Sequence, residues 1–175
     1  IRVDNTSMSQ NTYVDAATGE RFVLGYRLGP TLGKGAQGKV KLATRPADGA
    51  QVALKIICLD GISAVERAHL AEETMALVLC ASGHTTELLQ AEGRVLYPRR
   101  RGGARLCAVL VLEYCAGGEL LRYLKHGGAF EEDLARTFFR QLLVAIATCH
   151  DKGVAHRDIK PENLRLDGMG SIKLT

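Results

Sequence analysis

The sequence lacks the features that define several classes of protein. It has no tryptophan and only four prolines. No apolar run approaches the about 18 residues that suggest a transmembrane helix, and the N-terminus has no apolar signal region. We therefore expect no membrane segment and no secretory leader.

Cysteine is present but carries no recognisable motif. The five cysteines form no C-x-x-C pair and have no histidine at ligand spacing, which argues against a zinc site. Their number is odd and four lie in apolar runs, so we predict buried free thiols in a reducing compartment, cytoplasmic or nuclear. They are Cys58, Cys80, Cys107, Cys115 and Cys149.

Charge and hydropathy are typical of a globular protein. Apolar residues make up 46% of the chain and the net charge is only +4, which excludes a disordered polyelectrolyte. The only dense basic run is residues 99–101. Such a run can bind nucleic acid, but a solvated loop is the more common outcome, so we predict no nucleic-acid partner.

The N-terminal half has the texture of an antiparallel sheet. Residues 1–21 are polar and without period, which predicts a flexible tail. Short apolar or alternating runs then predict strands near 23–32, 38–45 and 51–58, with Asp48-Gly49 as a hairpin turn. A helix is predicted over about 65–81, followed by two more strands within 87–97 and 105–114.

The C-terminal half is predicted to be helical. After a short helix that follows the turn "CAGGE", residues 131–149 have an apolar residue every fourth position. Acidic residues occupy the first turn of this helix, and Gly153 follows its end. Its apolar stripe consists of Leu134, Phe138, Leu142 and Ile146, widened by Leu143.

Three glycines in "GKGAQGKV", residues 33–40, form a G-x-G-x-x-G pattern. In a dinucleotide-binding turn the third glycine begins a helix. Here "KVKLA" follows, which favours a strand, so we predict a strand–loop–strand flap whose backbone N–H groups can lie over phosphates. A glycine-rich hairpin with no ligand is the alternative.

Lys55 lies on the apolar strand "VALK", across a hairpin from the glycine loop. A buried lysine is costly unless its charge is paired, and a cation near the glycines can hold phosphate oxygens. A lysine reaching solvent at a strand edge is the alternative. Its carboxylate partner would come from the following helix, from Glu73 or Glu72.

The segment "HRDIKPEN", residues 156–163, concentrates three complementary groups. Asp158 can accept a proton from a hydroxyl, Lys160 can neutralise a phosphoryl group, and Asn163 can hold a metal ion. A random polar loop does not supply an acceptor, a cation and an amide within so short a stretch.

In this order and spacing the three segments resemble a eukaryotic-type serine/threonine protein kinase, from about Tyr26 to Thr175. "YRLGPTLGKGAQGKVKLA" further resembles the calmodulin-dependent and AMP-activated kinase group. The resemblance implies an α+β fold with a five-stranded antiparallel N-lobe, one helix in that lobe, and an incomplete helical C-lobe. The predicted domains are a tail (1–21), the N-lobe and hinge (22–117) and a partial C-lobe (118–175).

The resemblance also implies MgATP as cofactor and a protein serine or threonine hydroxyl as substrate. Asp158 would be the base, Lys160 the γ-phosphate contact, Lys55 the α- and β-phosphate contact paired with Glu73, and Asn163 the magnesium ligand. The residues implied to bind ATP are Leu32, Gly33, Lys34, Gly35, Ala36, Gln37, Gly38, Val40, Ala53, Lys55, Glu113, Cys115, Glu119 and Asn163. Leu112 would be the gatekeeper, and Arg157 would resemble the arginine that pairs with a phosphorylated activation loop.

Two departures from the family pattern bear on activity. Arg165 stands where the family usually has an apolar residue beneath the adenine, so it either stacks on the base or weakens nucleotide binding. By family spacing, the metal-binding Asp of D-F-G would follow Thr175. We therefore expect the chain as given to be a truncated, inactive fragment whose helical stripe is partly exposed.

Two other functions remain open at this stage. A pseudokinase-like module that binds ATP or partners without catalysis is favoured by Arg165. A nicotinamide-dependent dehydrogenase requires a helix after the glycines, which the sequence does not predict.

Overall fold

The structure, a computed structural model, describes residues 12–35, 38–99 and 102–175. Its strands are β1 Tyr13–Val14, β2 Arg21–Val23, β3 Tyr26–Gly35, β4 Gly38–Thr44, β5 Gln51–Cys58, β6 Leu88–Pro98, β7 Ala104–Glu113, β8 Gly118–Glu119, β9 Leu164–Leu166 and β10 Ile172–Leu174. Its α-helices are α1 Ala64–Leu79, α2 Leu120–Gly127 and α3 Glu132–Asp151, and Pro161–Asn163 form one 3₁₀ turn.

The chain forms two compact units. The first unit comprises the residues up to Leu70 together with Leu88–Tyr114, and the second unit comprises Ala71–Glu87 and Cys115–Thr175. The strand-rich first half and helical second half match the coarse fold prediction. The finer domain boundaries drawn from the sequence stay predictions.

An antiparallel sheet of seven strands builds the first unit, in the order β1-β2-β3-β4-β5-β7-β6. The prediction of five strands was wrong, because β1 and β2 lie in or at the border of the segment predicted to be a flexible tail. The rings of Tyr13 and Phe22 stack across this pair with centroids 4.8 Å apart. Residues 1–11 of the predicted tail lie outside the described residues.

A contact far apart in sequence fixes β2. Arg21 Nη1 donates to the hydroxyl of Tyr97 on β6 at 3.3 Å, and the Arg21 guanidinium carbon lies 5.9 Å from the centre of that ring. Lys39 Nζ lies 4.1 Å from the same centre. Two cations therefore flank the buried Tyr97, which favours this arrangement by cation–π attraction.

The turn between β4 and β5 has the predicted chemistry. Asp48 Oδ1 accepts from Ala50 N at 3.0 Å, and Gly49 has a φ of +74°, which glycine adopts without strain. The predicted Asp-Gly hairpin is confirmed. The turn sets the β4–β5 register, from Thr44 opposite Gln51 to Lys39 opposite Ile56.

Gly38 is required at the start of β4 by a close backbone approach. Its φ is +144°, and a Cβ built on it would lie 2.3 Å from the carbonyl oxygen of Ile56. Gly35, at the other side of the same loop, has no heavy atom within 4 Å of such a Cβ. The two glycines therefore differ: only Gly38 is dictated by the fold of the chain itself.

One face of the sheet carries the main core of the first unit. Alternate residues of β5 (Val52, Leu54 and Ile56) are buried on this face, as period-two patterning requires. The other members of this cluster are Val23, Tyr26, Ala43, Val95, Tyr97, Cys107, Val109 and Val111. A smaller cluster of Ile57, Leu59 and Ala108 lies on the other side of β5, with Ile62, Leu70 and Leu106 against it.

Helix α1 begins with a capping box. The Ser63 hydroxyl accepts from Glu66 N at 3.2 Å, while the Glu66 carboxylate accepts from Ser63 N at 2.7 Å. These hydrogen bonds hold the pKa of Glu66 below its usual value. Since α1 contains no buried residue, capping contributes more than packing does to fixing its first turn.

Gly153 terminates helix α3, as the sequence predicts. Val154 N donates to Cys149 O and Gly153 N donates to His150 O, both at 2.9 Å, and Gly153 has a φ of +71°. This is a Schellman motif, in which glycine satisfies the last carbonyls. The helix runs two residues past its predicted end.

The second unit is organised around α3 and the three-stranded sheet β10-β9-β8. Phe138, Leu142 and Ile146 pack against a cluster of Leu120, Ala145, Leu164, Leu166, Ile172 and Leu174. The predicted stripe is therefore split: these three residues are partly buried, whereas Leu134 and Leu143 are 43% and 48% exposed.

The cysteines match their predicted state. All five are free, and all but Cys58 are buried. Burial is the main cause that raises the pKa of both Cys107 and Cys149 to about 11. In the part of the chain that the structure describes, no helix is long and apolar enough to cross a membrane.

Replacing Gly38 by Ala should destabilise the first unit, since the new Cβ would clash with Ile56 O and the residue would keep a strained φ. We expect a loss of about 2 kcal/mol in the free energy of unfolding, measured by urea denaturation. The matched variant Gly35→Ala should change it by less than about 0.5 kcal/mol. Equal effects of the two substitutions would contradict the assignment.

Cys107 and Cys149 should resist alkylation in the native protein. A rise of the thiol pKa from 9.0 to about 11 lowers the thiolate fraction at pH 8 about a hundredfold. Iodoacetamide labelling followed by peptide mass spectrometry should find both residues unmodified in buffer and modified in urea. Rapid native labelling at either residue would show that its burial is wrong.

Candidate active site

Strand register in the first unit brings the glycine loop, Val40 and Lys55 into one row. Gly33 lies opposite Val40 in the β3–β4 pair, and Val40 lies opposite Lys55 in the β4–β5 pair. Lys55 in turn lies opposite Leu110 on β7. Because directly opposite residues share a face of a sheet, these residues from four strands point to the same side.

The neighbouring row carries the predicted adenine contact. Ala53 lies opposite Leu112, and Ala53 and Lys55 are two residues apart on β5, so they share a face. We call the surface formed by Val40, Ala53, Lys55 and Leu112 the lysine face. It is the side of β5 opposite to that of Val52, Leu54 and Ile56 in the main core.

The glycine loop joins two strands, as predicted. β3 continues to Gly35 and β4 starts at Gly38, with Gly35 opposite Gly38 and Lys34 opposite Lys39. The register shifts between Thr31 and Gly33, which makes Leu32 part of an irregularity. Since β4 follows the glycines directly, the dehydrogenase alternative is wrong. Two predicted site residues, Ala36 and Gln37, lie outside the described residues.

The surroundings of Lys55 explain why its charge requires a partner. It is half-buried, and the residues of β5 that share its face, Ala53 and Ile57, are buried. A charged group in such surroundings is stabilised by an opposite charge or by hydrogen bonds. Of the two candidate carboxylates on α1, Glu73 is half-buried and Glu72 is exposed. The pairing of Lys55 with Glu73 stays a prediction.

The end of β7 and the segment after it carry three further residues that were predicted to contact ATP. Glu113 ends β7 opposite Val52, Cys115 is buried, and Glu119 lies on β8. Within the second unit, Gly117 N donates to Leu166 O at 2.9 Å. A Cβ on Gly117 would lie 2.6 Å from that of Leu166, so only glycine allows this approach.

The loop that follows α3 holds Asp158, Lys160 and Asn163 together. Asn163 Nδ2 donates to both the carbonyl oxygen and the carboxylate Oδ2 of Asp158, each at 2.8 Å. Lys160 Nζ lies 2.9 Å from Asp158 Oδ1. The 3₁₀ turn begins at Pro161, and Asn163 N donates to Lys160 O at 2.9 Å, which brings the amide side chain back to Asp158.

These contacts fix the charge of the loop. The hydrogen bond from Lys160, followed by that from Asn163, holds the pKa of Asp158 below its usual value. The same hydrogen bond to Asp158 raises the pKa of Lys160. Asp158 is therefore an anion at neutral pH, and its carboxylate stays exposed enough to meet a substrate.

Sequence reasoning missed the role of His156. Asp158 N donates to His156 Nδ1 at 3.3 Å, and His156 Nε2 lies 3.1 Å from Thr175 O. A backbone N–H only donates and a carbonyl only accepts, so Nε2 carries the ring proton. His156 thus links the catalytic segment to the residue after β10. The sequence did contain this residue, as the first position of "HRDIKPEN", but no separate role was predicted for it.

Two other backbone features shape this loop. Arg157 has a φ of +64°, a conformation that costs a non-glycine residue energy and that is concentrated at functional sites. Thr175 N donates to Asn163 O at 3.0 Å, and its hydroxyl to the same oxygen at 3.2 Å. Thr175 is therefore tied to both His156 and Asn163.

The side chain of Asn163 carries an oxygen that could serve as a ligand to a magnesium ion. Its amide nitrogen is turned to Asp158, so its amide oxygen is the atom that could meet a cation. Amide and carboxylate oxygens are hard ligands that suit Mg²⁺. Among the described residues, no group of three or more His, Cys, Asp or Glu side chains could hold a metal ion. The ligand that Asn163 offers to Mg²⁺ is thus its amide oxygen.

Arg165 makes a contact that the sequence did not predict. It lies on β9 directly opposite Glu119 on β8, and Arg165 Nη2 donates to Glu119 Oε1 at 3.1 Å. The residue expected beneath the adenine is thus joined to the carboxylate expected to meet the ribose. Sequence reasoning missed this pair, because it depends on the register of segments 46 positions apart.

Comparisons with known proteins agree with this arrangement. A family model described as the protein kinase domain matches residues 26–175. The chain is 36% identical over 157 residues to CBL-interacting serine/threonine-protein kinase 26 of Arabidopsis thaliana, which covers 89% of this chain and 34% of that protein. It is 37% identical over 150 residues to the probable serine/threonine-protein kinase MARK-C of Dictyostelium discoideum, covering 86% and 18%.

The chain thus spans about a third or less of the length of these curated relatives. Their names fit the predicted calmodulin-dependent and AMP-activated group. Strands β3 to β7, the strand–loop–strand glycine segment and the Asp158 loop all lie within the matched region, whereas β1 and β2 precede it. The chain belongs to the protein kinase domain family.

Proposed function

We propose that the protein transfers the γ-phosphoryl group of MgATP to a serine or threonine hydroxyl of a protein substrate. The observation that carries this proposal is the joining of Asp158, Lys160 and Asn163 by two hydrogen bonds and an ion pair on one short loop. Acceptor, cation and metal donor are the groups that phosphoryl transfer needs, and family membership supports the same reading.

Asp158 accepts the hydroxyl proton of the substrate as the oxygen attacks phosphorus. Its lowered pKa keeps it ionised at neutral pH, and Asn163 orients it through the carboxylate hydrogen bond. Lys160 exchanges part of its interaction with Asp158 for an oxygen of the γ-phosphate. Because the ion pair is largely exposed, this exchange requires little free energy.

The lysine face and the glycine loop bind the nucleotide in this proposal. Lys55 holds α- and β-phosphate oxygens and pairs with Glu73, while Ala53 packs on the adenine beside Leu112. The backbone of Glu113 and Cys115 hydrogen-bonds the adenine edge, and Glu119 meets the ribose. Support comes from the register that aligns Val40, Ala53 and Lys55 on one face.

Mg²⁺ would be held through the amide oxygen of Asn163. When bound, the ion neutralises charge on the phosphate oxygens. The chain's own contribution is to keep the Asn163 side chain fixed by its two bonds to Asp158. The partners proposed are ATP and a serine- or threonine-containing protein, in a cytoplasmic or nuclear setting, with no nucleic acid.

A second candidate function is a pseudokinase-like module that binds a nucleotide or a partner without catalysis. The Arg165–Glu119 contact favours it, since it places a cation where the family usually has an apolar side chain. The presence of Lys55, Asp158, Lys160 and Asn163 favours the active kinase.

The proposal is tested by phosphoryl transfer with the full-length protein that carries these residues. Transfer of labelled phosphate from ATP to serine/threonine peptides should fall about a hundredfold or more in Asp158→Asn, because the proton acceptor is lost. The matched exchange Asp133→Asn, at an exposed site in the first turn of α3, should leave the rate unchanged. Nucleotide binding without transfer would instead support the pseudokinase.

Replacing Lys55 by Met should weaken ATP binding at least about tenfold, because charge-assisted hydrogen bonds to the phosphates are lost. Titration calorimetry of the folded variants measures this directly. Lys152→Met, which removes an exposed cation at the end of α3, is the control and should retain the affinity. If Lys55→Met bound ATP as tightly as the parent, Lys55 would not hold phosphate.

Removing the Lys160 side chain should raise the pKa of Asp158. The carboxyl pKa is lowered first by its hydrogen bond from Lys160, so Lys160→Ala shifts the titration upward toward the ordinary value. The ion pair exists above that pKa and is lost as the pH falls through it. Carboxyl ¹³C shifts report the midpoint. Asp15, whose pKa is lowered by Thr18, should not move, and an unmoved Asp158 would contradict the pairing.

A further inference from the structure

Three charged residues form a row across the small sheet of the second unit. Glu119 on β8 lies opposite Arg165 on β9, and Arg165 lies opposite Lys173 on β10. The flanking residues Leu164 and Leu166 are buried in the cluster that α3 packs against. Side chains alternate along a strand, so the charged row lies on the opposite face of this sheet.

Within this row the contact of Arg165 with Glu119 is direct. The nitrogen–oxygen distance is 3.1 Å, and the side chains are 32% and 47% exposed respectively. Lys173, which is buried, lies on the other side of Arg165 in the register. Register and charge therefore direct Arg165 to Glu119.

The ion pair with Arg165 occupies part of the Glu119 carboxylate, which is the hydrogen-bond acceptor proposed for a ribose hydroxyl. A carboxylate that accepts from a guanidinium has fewer lone pairs to offer, and its charge is partly neutralised. A partly exposed ion pair is weak, so a ligand hydroxyl can compete for the same oxygen. Such competition reduces the free energy that the hydroxyl contributes without abolishing binding.

We infer that Arg165 is a specificity-determining residue that competes with the nucleotide ribose for the carboxylate of Glu119. The inference rests on the proposed nucleotide binding and deepens it, because it concerns which nucleotides the site accepts. The site discriminates weakly between a ribonucleotide and its 2′-deoxy analogue while Arg165 holds Glu119. Loss of the guanidinium restores the discrimination.

The test compares ATP with 2′-deoxy-ATP by titration calorimetry. In Arg165→Leu the dissociation constant of 2′-deoxy-ATP divided by that of ATP should increase about threefold to tenfold. This is the effect expected from one added hydrogen bond between the ribose and Glu119. Arg165→Gln, which keeps a polar side chain but removes the charge, should change the ratio in the same direction. The double variant Glu119→Ala with Arg165→Leu should lose the gain, because Arg165 acts through Glu119 and alanine offers no side-chain acceptor.

Ionic strength gives a readout that a purely structural role would not move. The two nucleotides carry the same charge, so salt effects on their phosphates cancel in the ratio. Salt screens the partly exposed pair, so the ratio should rise with salt in the parent protein and stay flat in Arg165→Leu. Arg136→Leu removes a guanidinium that pairs with Glu132 on α3, and it should leave the ratio unchanged.

The outcomes separate this inference from the function it rests on. If the parent and Arg165→Leu both bind ATP and show the same ratio of the 2′-deoxy-ATP dissociation constant to the ATP dissociation constant, the competition does not exist. If neither protein binds either nucleotide while both are folded by thermal unfolding, the proposed nucleotide function itself fails. An increased ratio that survives in the double variant would show that Glu119 is not the group released.

Discussion

The hydrogen bonds from the Asn163 amide to the backbone and carboxylate of Asp158 are the constraint on which the rest of the candidate site depends. They fix the direction of the carboxylate and leave the amide oxygen as the possible cation ligand. Lys160 then supplies the charge that keeps Asp158 ionised. Asp158, the proposed proton acceptor, thus contacts both the proposed phosphate contact Lys160 and the proposed metal ligand Asn163.

This loop is supported from outside by backbone contacts rather than by a large core. Thr175 bonds to Asn163 O, and His156 joins Thr175 O to Asp158 N. The hydrophobic cluster that contains Ile172 and Leu174 places β10, the strand that Thr175 follows, against α3. The burial of apolar residues at β9 and β10 therefore supports the loop whose exposed polar groups hydrogen-bond to one another.

Much of the site was predictable because its chemistry is concentrated in local sequence. The residues of "HRDIKPEN" lie within eight positions, and the Asp48-Gly49 turn fixes the register that brings Val40 to Lys55. The Schellman end of α3 follows from Gly153 alone. Where a short segment determines its own backbone, sequence reasoning identifies both the element and the residues it presents.

Other features depend on partners distant in sequence. β1 and β2 are only two and three residues long, and β2 is held by Arg21 on Tyr97, 76 positions away, so no local pattern distinguished them from a tail. The Arg165–Glu119 pair follows from the β8–β9 register, which has no signal within either segment. The partial burial of the α3 stripe depends likewise on β9 and β10, which the sequence did not place against it.

The central claim is that the loop is ordered by its own hydrogen bonds before any ligand binds. Amide hydrogen exchange of the ligand-free protein, followed by NMR, tests it at Asn163 and Thr175. Their N–H groups donate to Lys160 O and Asn163 O, so exchange should be slowed well below the rates of an unstructured peptide, and the protection at Thr175 should decrease in His156→Ala. Exchange at unstructured rates in the ligand-free protein, with protection appearing only on addition of MgATP, would contradict the account.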